Sequence, residues 1–190
     1  MKYQDLSLYT VPGSFRGRSK VTVQIWWIVQ ATLFAWSPQV LFGWRRFILR
    51  AFGAKIGKNV NFRSSVKITY PWKLTVGDYS WIGDDCVLYS LGEIKIGSHV
   101  VISQRSYLNT GGHDYDKIAF DTFVKPIAIE NECWITTDVY IAPGVTIGEG
   151  TIVSARSSVF KDLPKGKIYS GTPARLIGDR LPALKEEKEL

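Results

Sequence analysis

The chain is poor in the residues that anchor metal or covalent chemistry: two cysteines, two histidines and one methionine among 190 residues. Cys86 and Cys133 lie too far apart for a C-x-x-C pair and are too few for a disulfide framework, which excludes a zinc knuckle and a small stapled fold. That cysteine usage fits a reducing compartment, and a cytoplasmic location is expected. His99 and His113 alone cannot supply a three-histidine zinc site, so no metal is expected. A long hydrophobic run is missing too. The most apolar stretch, residues 21–44, is interrupted by Gln24, Gln30, Ser37, Pro38 and Gln39, whereas a membrane span needs about 20 consecutive apolar residues. The first twenty residues are polar and lack the apolar core of a secretion signal.

What is present is positive charge. A net charge of +7 and a pI near 9.4 favour an anionic partner, which on charge alone could be a nucleic acid, a membrane surface or a phosphorylated small molecule. Residues 21–50 read as two short amphipathic helices divided near Pro38, the second carrying Arg45, Arg46 and Arg50. They could cap the remainder of the domain or bind shallowly at an anionic bilayer.

The organising signal is a period of six. Stepping by six from Ile129 gives Ile135, Ile141, Ile147, Val153 and Val159. Upstream, Ile56, Phe62 and Ile68 form one series, Val76, Ile82, Leu88 and Ile94 another, and Ile96, Ile102 and Leu108 a third. Four residues after these anchors stand small or β-branched residues, among them Val60, Ser80, Cys86, Val100, Ser106, Cys133, Val139, Thr151 and Ser157. A tight turn with little interior space requires such residues, so both cysteines read as packing residues. Neither a 3.6-residue helix nor a two-residue strand alternation yields this period. A hexapeptide repeat is the signature of a parallel β-helix with three short strands per coil.

One interruption exceeds the others. Leu108 and Ile129 are 21 residues apart where six would continue the repeat. Long excursions from a rigid scaffold tend to carry function, and this one opens with Asn109-Thr110-Gly111-Gly112-His113-Asp114. His113 has three readings: a general base, since a neutral imidazole can take a proton near neutral pH; a zinc ligand, for which histidines are too few; or a solvent-facing loop residue. The flanking glycines would let a substrate approach the backbone.

The repeat, the Gly112-His113 pair and the run W-I-T-T-D-V-Y-I-A-P-G-V-T-I-G-E-G followed by S-G-T-P-A-R resemble the hexapeptide-repeat acetyltransferases, nearest to the colanic-acid type of exopolysaccharide O-acetyltransferase. The resemblance covers nearly the whole chain. It implies an all-β fold: a left-handed parallel β-helix of about five coils over residues 56–164, with an excursion loop at 109–128, a helical cap at 1–55, and a segment 165–190 that completes an acetyl-CoA site. It also implies His113 as the base that removes a sugar hydroxyl proton, with Asp114 or Asp116 or a backbone carbonyl orienting the imidazole, and a backbone N–H near Thr136 or Thr137 receiving the oxyanion. Trp134, Thr137 and Ala155 match positions beside the pantetheine arm, and Lys161 and Arg175 match positions near the CoA phosphates. Thr136 and Arg156 replace frequent glycines of that pattern. Asn109 and Tyr89 are candidates for the acceptor pocket. A homotrimer with sites between subunits is implied, with a sugar or glycan acceptor, no nucleic acid, and peripheral membrane contact through residues 21–50 left open. An N-acetyltransferase of a nucleotide-linked amino sugar, a xenobiotic acetyltransferase and a non-catalytic scaffold at a membrane surface are the alternatives.

Overall fold

The computed structural model describes residues 2–11 and 15–180; the charged tail 181–190, expected to be frayed or helical, lies outside the described residues. Its body is three parallel sheets visited in rotation. The first face stacks Lys55–Ile56, Leu74–Val76, Ile94–Ile96, Ile127–Ile129 and Thr146–Ile147. The second stacks Asn61–Phe62, Trp81–Ile82, Val101–Ile102, Trp134–Ile135, Ile152–Val153 and Lys167–Ser170. The third stacks Lys67–Ile68, Val87–Tyr89, Tyr107–Asn109, Tyr140–Ile141 and Ser158–Val159. This is a parallel β-helix. Five coils are complete, and Leu163, bridged to Ile147, begins a sixth. The solenoid therefore runs past residue 164, and Arg175–Asp179 closes it by pairing antiparallel with Lys167–Ser170.

The six-residue frame is the inward column. Phe62, Ile82, Leu88, Ile102, Leu108, Ile135, Ile141, Ile147, Val153 and Val159 are all buried, and each such side chain contributes about 1.5–3 kcal/mol on leaving water. The second column is buried with them. Cys86 and Cys133 fill it as unpaired thiols, and burial pushes both up to about 11.

The cap consists of α1 (Lys20–Val29), continued by a π-helical turn (Gln30–Phe34), and α2 (Phe42–Ala51). Ser19 caps α1 by accepting from the Thr22 amide at 3.2 Å. Val23, Trp26 and Phe34 face inward, and the Trp26 indole donates to the Ile68 carbonyl at 2.9 Å, tying α1 to the first coil. On α2 the guanidinium of Arg45 is buried, donating to the carbonyls of Phe62 (2.6 Å) and Pro38 (2.9 Å) and to Ser37 Oγ (2.8 Å). Buried polar groups of this kind must be hydrogen-bonded, and carbonyls meet that demand here without a carboxylate. The expected amphipathicity fails on α1, whose outward side also shows Val21, Ile25 and Ile28.

The excursion is more regular than the expected loop. Gly111–His113 and Thr122–Val124 form an antiparallel hairpin in which His113 pairs with Thr122. The N-terminal segment packs onto it: the Asp5 amide donates to the Ile118 carbonyl at 2.7 Å, and the Tyr9 hydroxyl lies 2.6 Å from Thr122 Oγ1.

Close coil stacking gives a direct test. A Cβ on Gly77 would stand 2.6 Å from backbone atoms of Gly97 and Ser98, whereas one on Gly178 would meet nothing within 4 Å. Gly77→Ala should lower the unfolding free energy by about 2 kcal/mol or more, and Gly178→Ala should leave it near that of the parent. Thermal melts of the two variants decide, and a Gly77→Ala protein melting with the parent would refute the close-approach argument.

Candidate active site

His113 stands on the edge of the hairpin, held from three sides. Its Nδ1 lies 2.8 Å from the Phe120 carbonyl oxygen, its ring stacks on Phe120 with centroids 4.4 Å apart and planes at 6°, and the Tyr9 ring tilts against it at 5.8 Å. A carbonyl only accepts, so Nδ1 carries the proton and Nε2 of the neutral ring is left as an acceptor. Phe120 adopts φ +54, a left-handed conformation uncommon for an aromatic residue. With it the chain turns both its carbonyl and its ring onto the imidazole.

Asp114 does not orient the imidazole. Its carboxylate accepts from the Asp116 amide at 3.2 Å and pairs with Lys117 at 3.7 Å, while its own amide donates to the Asp121 carbonyl at 2.8 Å. The carboxylates of Asp114 and Asp121 both engage Lys117 and so fasten the turn of the hairpin. The glycines before His113 also have a local cause. A Cβ on Gly112 would stand 2.6 Å from the Phe123 ring, and one on Gly111 would stand 2.7 Å from Leu91 Cδ1. Side-chain packing over the hairpin demands them, in addition to any substrate.

A cleft of about 470 Å³ opens at His113. Asn109 and Tyr89, the two acceptor-pocket candidates, both line it. Asn109 is fixed at both ends of its amide, accepting from Gly111 N at 3.0 Å and donating to the Tyr140 hydroxyl at 3.0 Å. Tyr9, Arg16, Trp27, Tyr70 and Tyr107 complete the walls, and sequence reasoning did not find them. Tyr107 had a signal, since it occupies the outward position immediately before the anchor Leu108 and faces the cleft for that reason. Tyr9 and Arg16 had none, lying outside the repeat. Burial pushes the hydroxyls of Tyr70 and Tyr107 upward, so both stay protonated donors.

The expected cofactor residues fall in three other places, and none of them borders the cleft. Thr136, Thr137, Ala155 and Arg156 sit at the corner between the second and third faces. The Thr136 amide is spent on the Val153 carbonyl at 3.0 Å, while among the described residues the Thr137 and Ala155 amides donate to no protein acceptor. Trp134 lies on the second face with its indole donating to Ser103 Oγ at 3.1 Å. Arg156 has φ +60, which explains why glycine suits that position; its side chain is exposed, 3.9 Å from Asp138. The Arg105 guanidinium, bonded to Asp138 at 2.7 and 2.8 Å, holds that carboxyl below its ordinary range. Lys161 and Arg175 line one depression of about 120 Å³ with Pro173 and Ala174, at the far end of the solenoid from the cap.

No family model matches the chain. Its sequence is 62% identical over 178 residues to a colanic acid biosynthesis acetyltransferase of Escherichia coli (strain K12), covering 94% of this chain and 98% of that protein. It is 28% identical over 136 residues to the galactoside O-acetyltransferase of the same organism, covering 70% of this chain and 67% of that one. Among solved structures, a hexapeptide-repeat acetyltransferase of Vibrio cholerae O1 biovar eltor complexed with acetyl coenzyme A superposes with a TM-score of 0.78 at 26% identity, over 86% of this chain and 89% of that one.

The Phe120 carbonyl makes a prediction about the ring. Asp114→Asn should leave His113 in its Nδ1-protonated tautomer, read from the imidazole nitrogen shifts in NMR. A switch to the Nε2-protonated form in that variant would return the orienting role to the carboxylate.

Proposed function

The chain belongs to the hexapeptide-repeat acetyltransferases of the colanic acid biosynthesis type, and we propose that it transfers acetyl from acetyl-CoA to a hydroxyl of a sugar or oligosaccharide, with His113 Nε2 as the general base. The observation that carries this reading is the Nδ1 contact with Phe120, which leaves Nε2 as a proton acceptor in a cleft walled by Tyr89, Tyr107 and Asn109. Aromatic rings and fixed amides of this kind suit a sugar, offering ring faces to C–H groups and donors to hydroxyls. The acetyl-CoA thioester supplies the activated acetyl group. His113 accepts the hydroxyl proton as the sugar oxygen attacks the carbonyl and returns it to the departing thiolate, so no covalent enzyme intermediate is required. The unengaged Thr137 amide is the better oxyanion donor, because the Thr136 amide is already committed to Val153. The two open amides at Thr137 and Ala155 fit pantetheine. Lys161 and Arg175 supply a point charge and a fork for phosphate oxygens. Acetyl-CoA as donor and two unpaired thiols suit the cytoplasm.

The same placement argues for a homotrimer. One chain puts His113 beyond the third face and Thr137 and Ala155 at the opposite edge of that face. A copy that brings its corner between the second and third faces against its neighbour's excursion makes a heterologous contact, and such contacts close as rings where the rotation between copies returns on itself. Each subunit then supplies the base to a site whose amides come from the next.

His113→Ala should reduce kcat by about a hundredfold or more with CoA affinity retained in calorimetry, and unchanged turnover would remove the base from His113. Co-expressing His113→Ala with Ala155→Trp, each inactive alone, should restore part of the activity, because mixed trimers contain sites with neither substitution. If the mixture stays inactive while light scattering shows mixed assemblies, the site lies within one chain.

A further inference from the structure

We propose that the helical cap docks the enzyme on an anionic lipid bilayer, with the apolar shelf formed by the end of α1, the segment 35–41 and the start of α2 seated at headgroup depth. The shelf surrounds a hollow of about 500 Å³ walled by Leu33, Trp36, Pro38, Leu41 and Trp44. The Trp44 indole, donating to the Leu33 carbonyl at 2.9 Å, locks the two helical segments around it, and Phe47 stacks on Trp44. Trp36 and Val40 at the rim are 82% and 80% exposed. A helix that is apolar all round is normally buried, yet α1 adds Val21, Ile25 and Ile28 to the same exposed surface. Contiguous apolar area of this kind marks an interaction site, and tryptophans bordering it suit the boundary between hydrocarbon and headgroups.

Charge identifies the occupant. Between Asp5 and Asp78 the sequence has no acidic residue and eleven lysines and arginines, whereas the remainder of the chain carries 13 basic and 17 acidic residues. The positive charge of the protein is thus concentrated around its cap. Among the described residues only Arg63 of the eleven forms an ion pair, with Asp84. Lys20 at the start of α1 is exposed, and Arg50 on α2, one helical turn from Phe47, is exposed with no carboxylate partner, its guanidinium donating to the carbonyls of Ile56 and Gly57. Apolar and aromatic side chains beside unpaired cations are the chemistry of a helix lying in an anionic interface. Facing this surface with its own copy would oppose like charges, and a nucleic acid would leave the hollow's apolar walls in water. Trp27 of α1 also lines the His113 cleft, so the docked face and the cleft share a helix. Docking through this shelf engages no residue assigned to acetyl transfer.

The test is sedimentation of the full chain with vesicles of phosphatidylglycerol and phosphatidylethanolamine, or of phosphatidylcholine alone. The expected partition onto the anionic vesicles exceeds that onto the neutral ones by about tenfold or more and falls on raising salt to about 0.5 M. The double variant Trp36→Glu, Val40→Glu should lose about tenfold or more of that partition, with melting temperature and acetyl-CoA turnover unchanged. Absence of binding to anionic vesicles, or equal binding by the double variant, overturns the proposal. A drop in oligomer mass in that variant, or loss of binding to a single-stranded oligonucleotide in place of vesicles, would assign the shelf to another copy or to nucleic acid and overturn it equally.

Discussion

The solenoid depends on how each coil turns its corner. At eight corners a residue other than glycine adopts a left-handed backbone one position before the small buried residue: Asn59, Tyr79, Asp85, His99, Arg105, Glu132, Asp138 and Arg156. Gly144 and Gly150 do the same before Val145 and Thr151. That conformation costs an L-residue about 1–2 kcal/mol, and stacking recovers it locally. Tyr79 donates to the Lys58 carbonyl, His99 to Asp78, Arg105 to Asp84, Asp138 to Gln104 and Arg156 to Thr137, each reaching back to the coil before. A coil that lost its neighbour would keep the strained corner and lose its hydrogen bond. The stack is therefore cooperative along its axis, and the His113 excursion leaves it where a corner would have formed.

His113 shows what that rigidity makes possible. The excursion leaves the third coil where the next corner would have formed, and Lys125 rejoins the solenoid by donating to the Thr110 carbonyl at 2.9 Å. Two fixed ends hold a short hairpin in register, and the register brings the Phe120 carbonyl under Nδ1. The N-terminal segment adds the Tyr9 ring and hydroxyl from more than a hundred residues away in sequence. An imidazole with its tautomer set by the main chain needs no acidic partner, which releases Asp114 to bind Lys117 and stabilise the turn.

How much of this was legible follows from where each feature resides. The inward column and the small column repeat every six residues, so period alone reveals Ile135, Ile141 and Cys133 as core. Asn109 was named for its nearness to His113, and it lines the same cleft as Tyr89; the outward positions of the repeat could have added Tyr107, whose ring tilts against its registered partner Tyr140 on the third face. A carbonyl acceptor has no side-chain signature, so a backbone carbonyl stood as a candidate beside Asp114 and Asp116 without Phe120 being identifiable as its source. Arg156 was legible only as a departure from a glycine pattern. Its φ of +60 supplies the reason for the glycine, and the nearby Asp138 carboxylate offsets its charge. The outward apolar side of α1 was missed because periodicity identifies a buried face and is silent on what covers the opposite one.

The stack also orders the chemistry along its axis. The cap closes the first coil through Trp26 and Arg45, Lys161 and Arg175 lie at the fifth coil and its continuation, and His113 departs from the third. Adjacent strands lie about 4.8 Å apart, so four coil rises separate the ends by about 19 Å. On the proposed reading, a donor whose phosphates rest at the carboxyl-terminal end would extend its thioester down the solenoid to reach the imidazole, and an acceptor would enter from the side of α1 that Trp27 lines, so that the two would approach the third coil from opposite directions. The excess of positive charge that left the partner ambiguous in composition lies in the acid-free segment between Asp5 and Asp78, apart from Lys161 and Arg175 at the other end of the solenoid.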